Sequence, residues 1–451
     1  MHSLIRFVLL AAGGLLAAGC QPVRLDGPII AEVMTGSEVC TTLRDLSVPG
    51  GRLSGSANGA RAEAYVADKL RAYGLSNVHF EPFAMTTWRD RHTRVMVLDD
   101  PPRRLDVAQA LGNCLSTPAE GVTAELVDVG KGSQAEFEAV KHRLPGRFAL
   151  AHYGDVHRSR KMEFALQYGA AGLLHISHLD DQVVVGTCHG KPSPTPGVAI
   201  CKADGDRLAD RLAAEETIRV TIQIEADCWE ARPRNVVAEI PGAGRRANEV
   251  VLVCAHLDSW HLAEGAMDNA SGAAAILEAA RALARVGPRP RRTIRFVWFM
   301  GEEHGLFGSE AYAEAHEDEM DRIVAVINVD MAGEPRKFVT HGHPEMKSFL
   351  EALVRELPGY VLEPDVASSV HTYSDHAAFM KRGVCALAIY GELGPGVRFY
   401  HTPGDTFETV DRRGVNGHAA LVAVLARRLA DAEPMPAARM DPAALAEEHG
   451  W

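Results

Sequence analysis

Between residues 235 and 430, apolar runs of strand length alternate with alanine-rich stretches of helical periodicity, which leaves few folds open to the chain. Runs such as "EVVLVCAH", "TIRFVWFM" and "RIVAVINV" have no polar face. Strands buried on both faces belong to parallel sheets covered by helices. The expected fold class is therefore α/β, with a doubly wound, mostly parallel central sheet and flanking helices. Sheets of this kind bind ligands outside the carboxyl ends of their strands.

Those strand ends carry polar residues. "EVVLVCAHLDSW" stops at His256 and Asp258, "TIRFVWFMGEE" at Glu302 and Glu303, and "RIVAVINVDMAG" at Asp330. "VCALAIYGE" leads through a loop to His401 in "YHTPGDT", and Asp268 in "AMDNASG" precedes the helical "GAAAILEAARALARV". Taken singly, Asp268 reads equally well as a helix cap, and the glutamate pair as first-turn acids of a helix. Adjacent buried carboxylates, however, raise each other's pKa and need a source of positive charge. A set of His, Asp and Glu without Cys suits zinc, cobalt or manganese in an open catalytic site. Two histidines and three carboxylates are too many for one tetrahedral ion. They fit two ions, each with one His and one terminal carboxylate, that share Asp268 and bring the cluster close to neutrality. One of the two glutamates then binds metal while the other is free to act as general base on water. Asp258, two residues beyond His256 and on the same side of the strand, is placed to hold the second ring nitrogen of that ligand.

The ordered set "HLDSW", "MDNASG", "GEEHGLFGS", "NVDMAG", "SDHAAF" and "YHTPGDT" resembles the co-catalytic di-zinc exopeptidases of metallopeptidase family 28. The opening "GRLSGSANGARAEAYVADKL" is similar to the N-terminal segment of that family. The resemblance implies Glu302 as general base, Glu303 and His401 on one Zn2+, His256 and Asp330 on the other, and Asp268 between them, with Co2+ or Mn2+ as substitutes. It also implies hydrolysis of the N-terminal bond of short peptides. The alternatives are a dipeptidase like carboxypeptidase Q, to which the "HLDSW...GAMD" spacing is similar, and a non-peptidase amide hydrolase or cyclase on the same scaffold. His371 stands where aminopeptidases of the family carry an oxyanion-binding Tyr. With Ser374 it is the candidate for oxyanion or substrate contact.

The remaining sequence frames this core. "MHSLIRFVLLAAGGLLAAGC" reads as a secretory signal (residues 1–19) and resembles a bacterial lipoprotein signal that would acylate Cys20. The chain is then exported and lipid-anchored to the envelope, at the periplasmic face or outer membrane, since Gln21 replaces the Asp that often retains such proteins on the inner membrane. The peptidase domain is expected in two parts, 30–115 and 231–432. Between them lies an insert, 116–230, whose "GRFALAHYG" and "YGAAGLLHIS" are similar to the protease-associated domain. A loosely held tail, 433–451, follows. The seven other cysteines form no C-x-x-C pair, and Cys188 and Cys201 are the closest in sequence for a disulfide. A net charge of -12 excludes nucleic acid as a partner and leaves short peptides; the oligomeric state is not legible.

Overall fold

The computed structural model describes residues 24–357 and 359–450. The segment carrying the expected signal and Cys20 lies outside the described residues. No helix among the described residues is long and apolar enough to cross a membrane.

Two eight-stranded sheets make up the molecule. The first runs, edge to edge, Ser76–Pro82, Arg234–Ile240, Thr293–Phe299, Val250–His256, Ile323–Asn328, Ala386–Glu392, Glu334–Thr340 and Ala367–Ser368. Its four central strands, Thr293–Phe299 to Ala386–Glu392, are parallel, with His256 paired to Phe299 at their carboxyl ends. Along Val250–His256 the side chains alternate between two cores. Val251, Val253 and Ala255 face Gly272–Arg285 and Arg412–Asp431, whereas Val250, Leu252 and Cys254 share a core with Tyr312, Ala313 and Phe379. Helices on both faces explain why these strands read as unbroken apolar runs.

The second sheet runs Arg103–Arg104, Met85–Val97, Arg219–Ala231, Val122–Asp128, Phe148–Ala151, Gly172–Ile176, Gly197–Ile200 and Ala108–Ala110. Met85–Val97 and Arg219–Ala231 pair antiparallel along almost their whole length and form the path out of the first sheet and back. Met85–Val97, which falls within the 30–115 part expected to belong to the peptidase domain, is therefore in the second sheet. Its alternating burial suits an edge or a centre position in either sheet, so periodicity does not choose between them.

Two other expectations are corrected. The tail ends in the helix Pro442–His449, capped by Asp441, with Leu445 buried and Met440 N–H donating to the Gly383 carbonyl. The seven described cysteines are thiols, and Cys188 lies beside Cys114 and His189 rather than Cys201.

The turn after Thr293–Phe299 is fixed by Asn235. Its side chain accepts from Met300 N–H (3.1 Å) and donates to the Gly308 carbonyl (2.9 Å), closing the loop that carries Glu302 and Glu303. A Cβ on Gly308 would stand 2.1 Å from the Met300 oxygen. Gly308→Ala is expected to cost roughly 1–3 kcal/mol through overpacking, read as a lowered Tm in thermal denaturation.

Candidate metal centre

Five of the side chains anticipated at the strand ends, those of His256, Asp268, Glu303, Asp330 and His401, come together. His256 is the last residue of its strand, and its Nε2 lies 3.1 Å from Asp268 Oδ1 and 3.3 Å from Asp330 Oδ1. His401 points its Nε2 at Asp268 Oδ2 (2.9 Å) and Glu303 Oε2 (3.1 Å). The donors thus form two groups of three, His256–Asp268–Asp330 and Asp268–Glu303–His401, with Asp268 common to both. Asp268 Oδ1 is buried and makes no hydrogen bond despite its closeness to His256, so a proton on that imidazole does not point at it. A cation between the two would satisfy both, and the donor chemistry fits a pair of divalent ions.

Neighbouring residues hold these donors in place. His256 Nδ1 lies 3.2 Å from the Asp258 carbonyl and 3.6 Å from its carboxylate, so the backbone is the nearer partner. The Asp258 carboxylate instead accepts from Ser54 Oγ (3.1 Å) and from the backbone N–H of Glu302 (3.3 Å). Ser374 Oγ donates to Asp330 Oδ2 (2.6 Å) and accepts from Asn328 Nδ2 (2.8 Å), which engages the hydroxyl with a donor rather than with the open cleft. His371 is hydrogen-bonded through Nε2 to the Tyr390 hydroxyl (3.0 Å). Asn269, directly after Asp268, donates to the Val329 carbonyl and accepts from Met331 N–H, tying the Asp268 loop to the Asp330 loop.

Three contributors were not singled out in the sequence. Asp405 accepts from the backbone N–H groups of Met267 (2.7 Å) and Asp268 (3.1 Å). Arg52, fully buried, donates to the carbonyls of Leu46, Leu257, Glu264 and Gly265. Arg158 comes from the second-sheet part of the chain, and its guanidinium lies 3.3 Å from His401 Nδ1, a nitrogen that donates to the Val185 carbonyl at 3.1 Å. Single charged residues in loops leave no periodic signal. Only the "GD" after the His401 turn and the "GRLSG" before the first long helix mark the first two.

The cluster is electrostatically tense without metal. Burial opposes charge on His256, but Glu302 and Asp330 overcome it and hold the imidazole well above its ordinary pKa. Burial is likewise outweighed at His401, where Glu303 and Asp268 push the pKa up to about 9. At Glu302 burial, reinforced by Asp330 and Glu303, drives the carboxyl well above the usual range. Burial raises Asp375 and Asp405 to about 7 each. Asp268 alone is lowered, because its two imidazoles outweigh its burial.

A parallel α/β sheet whose strand ends gather two histidine–carboxylate triads around one shared Asp defines a metal-dependent hydrolase. Residues 235–426 match the model of Peptidase family M28. Carboxypeptidase Q of Xenopus laevis is 29% identical over 406 residues, spanning 86% of this chain and 84% of its own. The solved structure of a peptidase M28 precursor from Shewanella amazonensis superposes with a TM-score of 0.81 at 23% identity, over 92% of this chain and 98% of that one. The zinc aminopeptidase of Bacillus subtilis gives 0.67 at 25% identity, over 86% and 93%.

Protonation and stability are linked here. Asp375, Asp405 and His401 all have raised folded pKa values, against ordinary values of 3.8, 3.8 and 6.5, so at these three groups the metal-free folded state binds more protons than the unfolded one, while buried histidines such as His341 and His418, lowered to about 4, bind fewer. The stabilisation from the first three is complete below about pH 4 and is lost as pH rises through 7 and then 9. The opposite contribution of Asp268 is already constant above about pH 5. Relative to Asp405→Asn treated the same way, a comparison that cancels the opposite contribution of the buried histidines, the Tm of chelator-treated wild type should therefore fall between pH 4 and 7 in scanning calorimetry.

Proposed function

We propose that the protein is a zinc-dependent exopeptidase of aminopeptidase type that removes N-terminal residues from short peptides. The observation that carries this reading is the shared Asp268, whose two oxygens face the imidazoles of His256 and His401 from opposite sides. In this assignment His256 and Asp330 hold one ion, Glu303 and His401 the other, and Asp268 both. The relatives named as a zinc aminopeptidase and as carboxypeptidase Q support the class of reaction.

The two zinc ions would supply positive charge that polarises the scissile carbonyl and acidifies water. Glu302 is the general base. It is held by its backbone N–H on Asp258, is only partly buried, and has its carboxyl driven well above the usual range by burial, Asp330 and Glu303, which strengthens it as a base. It takes the proton from the attacking water and passes it to the leaving amine. Asp258 positions His256 and Glu302 together. Ser374 keeps Asp330 in place, and His371, one turn of loop away, lines the substrate cavity. The second-sheet unit is assigned as an inserted protease-associated module that walls one side of the cleft through Val185 and Arg158 and limits substrates to short chains. Acylated Cys20 would anchor the exported enzyme to the cell envelope.

Two experiments test the reading. Glu302→Gln should keep its zinc while losing roughly 10²-fold or more in kcat; near-normal turnover with bound zinc would remove Glu302 from the base role. A Leu-containing dipeptide supplied free, N-acetylated and C-amidated separates the activities. Chelator-sensitive cleavage of the free and amidated forms, but not the acetylated one, is expected for an aminopeptidase. Cleavage of the free form alone would indicate a dipeptidase, and cleavage of none a non-peptidase hydrolase.

A further inference from the structure

Beside the Asp330 end of the cleft, a cavity of about 390 Å3 is walled by Asp330, His341, His371, Tyr373, His376 and Tyr390, among others. Three of these are imidazoles. One ligand atom from each of His341, His371 and His376 lies within 4.8 Å of the other two. The rings of His341 and His376 stack with centroids 3.9 Å apart, and His371 meets both edge-on.

Each of these rings has one nitrogen engaged and the other unpartnered, as His304 and His418 also have, but here three such rings come together. His341 donates from Nδ1 to the Ser369 carbonyl (2.6 Å), and His376 donates from Nε2 to the His371 carbonyl (3.0 Å). A carbonyl only accepts, so these contacts fix both tautomers and leave His341 Nε2 and His376 Nδ1 as bare lone pairs. His371 uses Nε2 on the Tyr390 hydroxyl. The three remaining nitrogens, His341 Nε2, His371 Nδ1 and His376 Nδ1, are buried and have no hydrogen-bond partner. A ring with one N–H anchored on a protein acceptor and the other nitrogen bare is the arrangement of a metal-ligating histidine. Burial also keeps the rings neutral, with His341 depressed to about 4 and His376 well below its ordinary value.

We propose that His341, His371 and His376 form a separate metal site for a divalent transition ion, zinc or one of similar preference, on the wall of the substrate cavity. Imidazole donors without carboxylate favour zinc, copper, cobalt or nickel over calcium and magnesium. Zinc–nitrogen bonds of about 2.0–2.1 Å place tetrahedral donors about 3.4 Å apart, so binding requires the three rings to draw together and the stacked rings of His341 and His376, whose lone pairs lie in nearly parallel planes, to turn toward a common point. The fourth position faces the cavity and takes water or a carboxylate. With three neutral ligands the ion keeps its full double charge next to Asp330. The site does not depend on the peptidase reading, because none of its ligands belongs to the strand-end cluster.

Metal content decides it. Protein saturated with Zn2+ and freed of excess by gel filtration is assayed by mass spectrometry for wild type, His341→Gln and Asp268→Ala. Wild type should carry one equivalent more than His341→Gln, and Asp268→Ala should lose strand-end metal yet keep that equivalent. Equal content in wild type and His341→Gln would overturn the proposal. An Asp268→Ala protein with undiminished zinc, alongside a depleted His341→Gln, would overturn the two-metal assignment instead. Should His341→Gln fail to fold, crystals of wild type grown with Co2+ decide: an anomalous peak within bonding distance of all three rings is expected, and its absence refutes the site.

Discussion

A single buried carboxylate, Asp268, faces two imidazoles at once, and much of the surrounding loop structure serves to keep it there. It sits in a short π-type turn, Ala266–Ser271, between the strand Val250–His256 and the helix Gly272–Arg285, and the backbone at Asp268 itself is non-helical, so the turn alone does not fix it. Two buried charges of opposite sign do so instead. Asp405 collects the amide N–H groups of residues 267 and 268, and Arg52 collects the carbonyls of residues 257, 264 and 265. Charge-assisted hydrogen bonds in a dry interior are strong, and they are costly to leave half made. The loop is thus as well determined as a helix would be, while its side chains remain free to point at the cleft.

The same economy governs the acids. Glu302, Glu303, Asp330 and Asp268 could not all be ionised in a buried cluster without compensation. The fold brings two histidines within reach and leaves Asp268 Oδ1 without a proton donor, which is the signature of a place meant for something more highly charged than a proton.

The central sheet and the five strand-end donors were legible because both follow from period and position: unbroken apolar runs specify buried strands, and the residue after each run must emerge at one edge of the sheet. Elements that depend on contacts distant in sequence were not. Nothing local distinguishes Met85–Val97 as a strand of the second sheet, since its alternation of buried and exposed residues would serve in either. Arg52 and Asp405 look like surface residues until the fold buries them. Cys114 comes beside Cys188 only because the segments around Gly112 and Thr187 run side by side. The last helix was legible in principle, since Asp441 and Pro442 make an N-terminal signature, yet the Pro- and Ala-rich approach to it reads as a tail.

His401 sits at the seam of the two sheets. Its ring leans on the carbonyl of Val185 and the guanidinium of Arg158, both carried by the part of the chain between the two crossing strands. The part of the chain that forms the second sheet is therefore no detachable lid over the metal-binding cluster. Excising it, or grafting in its counterpart from a relative, would re-aim a donor of the cluster along with the cleft wall. The two halves have to be inherited, and engineered, as one piece.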